Sequence, residues 1–217
     1  MLKGVIFDMD GLMIDTEKLL TRFWCEAANH YGYPMTKEHV LGIRSLAAKY
    51  AIPHLKGIFG EDFDYYKVRA KRIELMNEFI RQNGIEKKKG LDELLEYLDS
   101  TGLKKAVATA TDLQRTTLYL SSINIIDRFD KLICGNMIEN GKPAPDIYLA
   151  AAKELGLDPG ECIALEDSPN GIRSAHTAGC KPVMIPDLSQ PDEEIKKLLY
   201  ACCDDLSKGI GVIQKLV

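Results

Sequence analysis

Apolar runs that stop at polar residues alternate with amphipathic stretches along most of the chain. The first run, Gly4-Val5-Ile6-Phe7, is rich in β-branched and aromatic residues and ends at a polar cluster. This pattern is typical of a strand buried on both faces of a parallel sheet. Runs of the same kind predict four further strands, at residues 106–108, 131–134, 162–165 and 182–185.

Helical patterns lie between these predicted strands, at residues 91–99, 113–122, 145–155 and 171–178. Strands that alternate with helices indicate βαβ units, and their crossovers are almost always right-handed. The predicted core is therefore an α/β fold, a doubly wound, Rossmann-like parallel sheet with helices on both faces.

Residues 16–83 break this alternation, because their pattern is helical throughout. Helices are predicted at residues 17–31, 37–50 and 62–82, separated by turns at residues 32–34 and 56–60. We expect residues 16–83 to form an inserted α-helical bundle, a cap domain, and residues 1–15 and 84–217 to form the catalytic core. The alternative is that these helices pack on the sheet without a domain of their own.

The composition fits this picture and excludes several classes of partner. The 217 residues are 46% hydrophobic and 28% charged, as in an ordinary globular protein with one large domain or a core with an insert. The formal net charge of -4 argues against nucleic acid as a partner, which usually requires a basic face. It does not argue against a small anionic substrate, because a binding site needs only local cations.

The cysteines and the N-terminus bear on the cellular compartment. The six cysteines are scattered, without a Cys-x-x-Cys pair or a zinc-ligand spacing, and free thiols are typical of a reducing compartment. An acidic residue lies where a signal peptide needs apolar ones, and no apolar run approaches the roughly 18 residues of a membrane span. These features predict a soluble cytoplasmic protein without a membrane partner, and we expect a monomer.

Two aspartates follow the first predicted strand. Ligands of open parallel sheets bind outside the carboxyl ends of the strands, so polar residues at these positions are candidates for chemistry. Asp8 and Asp10 are two residues apart in extended chain and point the same way, and Gly11 permits an abrupt change of direction. Converging carboxylates repel each other and favour a bound cation. A simple capped turn explains this pair equally well when it is taken alone.

The second predicted strand ends at a candidate anion site. Thr109 offers a hydroxyl, and the backbone N–H groups of Ala110 and Thr111 lead into a helix. The alternative is that Thr111 or Asp112 merely caps that helix.

A lysine and two acids follow the next two strands. Pro143 and Pro145 fix the backbone around Lys142, which favours a functional lysine over a solvated one. Glu166 and Asp167 directly follow the strand at 162–165. The alternative is that they only complement the positive N-terminal end of the next helix dipole, which accounts for one acid more easily than for two. A divalent cation, normally magnesium beside phosphate, would relieve the repulsion between the acids. The lysine and the threonine would supply a phosphoryl group with a charge and a hydrogen bond.

These segments together resemble a known family. Residues 8–17, Thr109, residues 141–146 and residues 166–171 are similar to the four motifs of the haloacid dehalogenase superfamily. Within it, the chain resembles the β-phosphoglucomutase-like phosphatases, whose helical cap is inserted after the first motif. The second aspartate, Asp10, favours phosphoryl chemistry, because the dehalogenases of this superfamily lack it.

The resemblance implies a role for each matched residue. Asp8 would be the nucleophile that forms an aspartyl-phosphate, and Asp10 would be the general acid and base. Thr109 would bind a phosphate oxygen, and Lys142 would balance charge between Asp8 and the phosphoryl group. The implied Mg²⁺ ligands are Asp8, the main-chain carbonyl of Asp10, and Asp167, with Glu166 either a ligand or a neighbour of one.

One departure from the family pattern separates two activities. The sugar phosphomutases have a histidine in the first cap helix, where this chain has Leu20, although Trp24 nearby does match. An apolar side chain cannot transfer a proton, so we favour a phosphatase of small phosphate monoesters, of the sugar or nucleotide type, over a mutase. A non-catalytic metabolite-binding protein is a third alternative. Arg44 and Arg72 are candidates for binding a distal group of the substrate, with a plain surface cation as the alternative reading of each.

Overall fold

A single parallel sheet organises the computed structural model, which describes residues 1–217. Its spatial strand order is β3-β2-β1-β4-β5-β6, and every neighbouring pair is parallel. Because the order reverses at β1, the carboxyl ends of β1, β2 and β4 lie at the centre of one edge. The strands are β1 (Gly4–Phe7), β2 (Lys104–Thr109), β3 (Lys131–Cys134), β4 (Cys162–Glu166), β5 (Lys181–Met184) and β6 (Ala201–Cys202).

Ten α-helices accompany the sheet. Four lie between β1 and β2 without an intervening strand: α1 (Glu17–His30), α2 (Lys37–Gly42), α3 (Ala48–Phe59) and α4 (Tyr65–Asn83). The others are α5 (Leu91–Thr101), α6 (Leu113–Ser122), α7 (Asp146–Leu155), α8 (Pro169–Thr177), α9 (Glu193–Leu198) and α10 (Leu206–Gln214). None of them combines the length and the apolarity that crossing a membrane requires.

The α/β fold is as predicted, and the strands are apolar throughout because both faces of the sheet are covered. Val5 and Phe7 of β1 lie in one hydrophobic cluster with residues of α5 and α10, whereas Ile6 lies in another cluster with residues of α7. This alternation is the two-residue period of a strand. The five predicted strands are present, with ends that differ by no more than two residues. The strand β6 was not predicted, because two residues carry no pattern.

The helical segment, residues 16–83, has a hydrophobic cluster of its own. Trp24, Leu55, Phe63 and Val68 are among its buried members. Other residues of α1 and α4 join the cluster that covers the sheet, so the segment also packs on the core. We keep the division into residues 16–83 and residues 1–15 with 84–217 as a proposal.

The single helix predicted at residues 37–50 is wrong. The helix α2 ends at Gly42, and a loop at residues 43–47 separates it from α3. Ser45 in this loop has a φ of 58°, and the Ala47 amide donates to the carbonyl of Lys142 at 3.2 Å. Contacts with the core therefore override the helical pattern. The turn predicted at residues 56–60 is also wrong, because α3 runs to Phe59.

The chain leaves the core and returns to it at neighbouring positions. Ile14 and Lys87 form an antiparallel bridge. Beside it, the Asp15 amide donates to the Glu86 carbonyl and the Lys88 amide donates to the Met13 carbonyl, each at 2.9 Å. A short two-stranded connection thus joins the helical segment to the core.

Asp205 provides a stability test that is independent of the site. Its side chain caps α10 and pairs with Lys89 at 2.7 Å, and the Lys89 and Ser207 hydrogen bonds lower the pKa of Asp205 to about 2. We expect Asp205→Ala to lower the free energy of unfolding by about 1–2 kcal/mol at neutral pH in urea denaturation. The contacts that lower this pKa stabilise the ionised carboxylate of Asp205, which is protonated at low pH. The difference in the free energy of unfolding between the two proteins should therefore shrink as the pH falls from 4 toward 2.

The neighbouring Asp204→Ala is the matched control for this measurement. Asp204 is exposed and caps nothing, so its removal should leave the free energy of unfolding almost unchanged. Equal effects of the two substitutions would contradict the capping role.

Candidate active site

The central strands carry the predicted acids to one edge of the sheet. Asp8 directly follows β1, Thr109 ends β2, and Glu166 ends β4, with Asp167 next to it. Because β1 pairs with both β2 and β4 in parallel register, these side chains converge. All four are buried, as expected for groups that form a site between the sheet edge and the helical segment.

Lys142 joins this group from the loop between β3 and α7. Its Nζ atom lies 2.5 Å from Asp8 Oδ1 and 2.6 Å from Glu166 Oε1, and it also donates to the carbonyl of Ala108 at 3.0 Å. Burial alone would lower the pKa of Lys142, but the attraction of Asp8 and Glu166 outweighs it and raises that pKa. Lys142 is therefore a buried cation between two carboxylates.

Asp8, Glu166 and Asp167 form a compact acidic cluster. Each offers a carboxylate oxygen, and the three oxygens lie within 4.8 Å of one another. Burial raises the pKa of Asp8 and of Asp167, which Lys142 and Arg44 only partly offset. Asp167 Oδ1 is buried without a hydrogen-bond partner. An orphaned oxygen among crowded acids fits a hard divalent cation with oxygen ligands.

The carboxylate of Glu166 is already engaged on both sides. Its Oε1 atom accepts from Lys142 and from the Tyr148 hydroxyl at 2.6 Å, and Oε2 accepts from the Ser168 hydroxyl at 3.1 Å. This geometry indicates that Glu166 positions Lys142. It does not favour Glu166 as a direct metal ligand. The pattern of strand ends gave no sign of Tyr148, because it lies inside α7.

Asp10 has different neighbours from Asp8. Its carboxylate accepts hydrogen bonds from the hydroxyls of Thr16 at 2.5 Å and Thr111 at 2.8 Å, and the Thr109 hydroxyl lies 3.5 Å away. The side chain of Asp10 is not part of the acidic cluster. Two aspartates at one strand end therefore differ in surroundings: Asp8 faces a lysine, and Asp10 faces hydroxyls.

The reading of Arg44 as a surface cation is wrong. Arg44 lies in the loop at residues 43–47 but is buried, and it donates to the carboxylate of Asp167 and pairs with Glu17 at 3.4 Å. Glu17 was not predicted as a site residue. Burial raises the pKa of Glu17 to about 8, although Arg44 opposes this shift. The helical segment thus supplies a cation to the acidic end of the site.

A cavity of about 550 Å³ separates the sheet edge from the helical segment. The predicted residues that line it from the core are Asp8, Asp10, Thr109, Ala110, Thr111 and Lys142. Those that line it from the helical segment are Trp24, Arg44 and Arg72, and Leu20 lies beside them in the lining. A volume of this size suits a small organic ligand. Arg72 is also buried, so its reading as a surface cation is wrong as well.

Comparisons with known proteins agree with this geometry. The family model described as haloacid dehalogenase-like hydrolase matches residues 5–185. A phosphorylated carbohydrates phosphatase of Thermotoga maritima is 30% identical over 186 residues, which are 84% of each chain. Hexitol phosphatase A of Escherichia coli is 30% identical over 221 residues, which cover 98% of this chain and 99% of that protein.

A solved structure supports the same assignment at the level of the fold. The crystal structure of β-phosphoglucomutase from Clostridium difficile superposes with a TM-score of 0.84 at 24% identity, over 100% of this chain and 97% of that one. Its fold thus matches the whole chain, including the helical segment. The chain belongs to the haloacid dehalogenase-like hydrolases, as a phosphatase with the β-phosphoglucomutase-like fold.

Proposed function

We propose that the protein is a Mg²⁺-dependent phosphatase that hydrolyses small phosphate monoesters through an aspartyl-phosphate on Asp8. The observation that carries this proposal is the position of Asp8, buried at the sheet edge, 2.5 Å from Lys142 and within the acidic cluster. A carboxylate attacks phosphorus well only if the charge of the phosphoryl group is balanced nearby. Lys142 can supply part of that balance.

Magnesium would be held by Asp8 and Asp167, with the main-chain carbonyl of Asp10 as the third protein ligand. The orphaned Oδ1 atom of Asp167 supports this assignment. When bound, the ion would neutralise charge on the phosphoryl oxygens. Glu166 would hold Lys142 in place through their 2.6 Å hydrogen bond.

The remaining residues of the core would handle the protons and the phosphate oxygens. In the first step an oxygen of Asp8 bonds to phosphorus as the ester bond to the leaving oxygen breaks, and Asp10 protonates that oxygen. In the second step Asp10 takes a proton from water as the water oxygen bonds to phosphorus, and the bond to Asp8 breaks. The hydroxyls of Thr16 and Thr111, both bonded to Asp10, support this role by fixing its orientation. Thr109 would bind a phosphate oxygen.

Hydrolysis is favoured over transfer to a second sugar hydroxyl. Leu20, which lines the cavity from α1, offers no group that can accept a proton. The names of the two curated relatives, a phosphorylated carbohydrates phosphatase and a hexitol phosphatase, point to sugar or polyol phosphates as the substrate class. We therefore expect inorganic phosphate and the free alcohol as the only products.

Metal removal tests the proposal directly. We expect the purified protein to release phosphate from at least one of a panel of sugar, polyol and nucleoside monophosphates in Mg²⁺. Chelation should abolish this release and added Mg²⁺ should restore it, because the ion would neutralise charge on the phosphoryl oxygens. Phosphate release that is equal with and without the chelator, or absent for the whole panel, would contradict the proposal.

Gly11 allows a second test with a matched control. Its φ is 82°, and a Cβ atom there would overlap the Asp167 carboxylate. We expect Gly11→Ala to lower the free energy of unfolding by about 1–2 kcal/mol and to reduce kcat by about 100-fold, through the displaced carboxylate.

Gly84→Ala separates the backbone effect from the site effect. Gly84 has a φ of 76° but no atom within 4 Å of its added Cβ, so this variant should lose similar stability and keep full activity. Urea denaturation and phosphate release report the two quantities. Equal activity of the two variants would show that Gly11 has no role in the site.

A further inference from the structure

Three arginines that the proposed mechanism does not use line the cavity. Arg69 and Arg72 project from α4, and Arg115 projects from the first turn of α6. Arg115 pairs with Asp112 at 2.8 Å. Arg69 and Arg72, unlike Arg44, Arg115 and Lys142, form no ion pair with a carboxylate.

Arg72 is the least satisfied of these cations. Its side chain lies over the ring of Trp24 at 5.3 Å, and its one hydrogen bond is to the sulfur of Met76 at 4.0 Å. It is only 5% exposed, and its Nε atom has no hydrogen-bond partner. Burial, together with the nearby charges of Arg115 and Arg69, lowers the pKa of Arg72 to about 10.

The acids of the cavity do not balance this charge. Asp8 pairs with Lys142, and Glu17 pairs with Arg44. Asp10 accepts hydrogen bonds from threonine hydroxyls. Of the two remaining acids, Asp112 is committed to Arg115, and Glu139 is exposed. Packing against Trp24 and the contact with Met76 leave the Nε atom of Arg72 unsatisfied. A buried guanidinium without an anion is costly.

The position of these cations relates them to the leaving group. Thr111 donates to Asp10, and Arg115 follows four residues later in the chain, in the first turn of α6. Since Asp10 is the residue proposed to protonate the leaving oxygen, we place the leaving group in the cavity that these arginines line.

We propose that the cavity selects phosphate esters whose leaving group carries a second anionic group, a phosphate or a carboxylate, bound by Arg72 together with Arg69 and Arg115. The inference rests on the proposed phosphatase activity and specifies its substrate class. Guanidinium groups suit both anions, because each accepts paired N–H hydrogen bonds.

Matched substrate pairs test this selectivity and distinguish the two anions. Fructose 6-phosphate is compared with fructose 1,6-bisphosphate, and glucose 6-phosphate with 6-phosphogluconate. We expect kcat/KM to be about 10- to 100-fold higher for at least one doubly anionic member of these pairs. Arg72→Gln should remove most of that preference, chiefly through a higher KM.

Arg81→Gln is the matched control. Arg81 lies on the same helix, but it is exposed and paired with Glu78, so its removal should leave both the preference and the basal activity unchanged. Arg69→Gln, at a half-buried position, provides a second variant if Arg72→Gln does not fold, and it should also reduce the preference.

Direct binding separates this inference from the proposed function. Calorimetry with the Asp8→Asn variant should show tighter binding of the doubly anionic ester than of its partner, and the Arg72→Gln substitution should abolish the difference. Hydrolysis of every ester without preference for a second anion would overturn the inference alone. A preference that survives both arginine substitutions would also overturn the inference. If no ester is hydrolysed, the phosphatase activity is contradicted, and the binding measurement alone decides whether the cavity selects a second anion.

Discussion

Replacing Asp8 with asparagine is expected to abolish phosphate release, by a factor of about 10⁴ or more. The amide has nearly the same shape as the carboxylate, so the fold and the contact with Lys142 should persist. It is uncharged, however, and a poor nucleophile, so no covalent phosphate can form. Phosphate release in Mg²⁺ and the free energy of unfolding of the same preparation measure the two effects.

The control for this substitution is Asp127→Asn, at an exposed position that does not line the cavity. It makes the same chemical change and should leave activity intact. The wild-type protein should also bind a beryllium fluoride analogue of the aspartyl-phosphate, and Asp8→Asn should not. Residual activity of Asp8→Asn above about one hundredth of wild type would exclude Asp8 as the nucleophile.

Replacing Lys142 with methionine is expected to remove both activity and much of the stability. Asp8 and Glu166 would then face each other in a buried site without their shared cation. Removing one partner of a buried ion pair lowers the free energy of unfolding by about 3–5 kcal/mol. We also expect kcat to fall about 1,000-fold, because the charge of the phosphoryl group is no longer balanced. Urea denaturation at neutral pH and phosphate release measure the two losses.

A double variant separates stability from catalysis. Adding Glu166→Gln to Lys142→Met removes one of the two stranded carboxylate charges, so it should recover part of the lost free energy of unfolding without recovering activity. Lys153→Met, on the exposed side of α7, controls for loss of a lysine. If Lys142→Met is as stable as this control, the cation does not balance the buried acids.

The sequence predicted the core of the site because each of its parts obeys a local rule. Asp8, Thr109 and Asp167 follow or end apolar strands, and parallel pairing brings the carboxyl ends of neighbouring strands to one edge. The same rule, applied to β5, would have identified Asp187, which follows that strand and pairs with Lys88 at 2.8 Å.

Other features depend on contacts that no local pattern contains. Arg44 is buried because its loop packs on the core, where the Asn170 side chain donates to its carbonyl at 2.9 Å. Tyr148 and Glu17 lie within helices, at positions that ordinary amphipathic patterns also explain. The helical break at residues 43–47 likewise follows from contacts with the Lys142 loop. Such features arise only once the helical segment is set against the sheet edge.

The bridge between Ile14 and Lys87 allows the helical stretch between them to be replaced by another segment. Paired residues on antiparallel strands are about 5 Å apart, so a segment of another length or shape can start and end here without a shift in the register of β1. Evolution could thus alter selectivity by replacing one contiguous stretch of sequence while the strand ends around Asp8 stay the same. In this chain the same stretch also supplies Arg44, which pairs with Asp167.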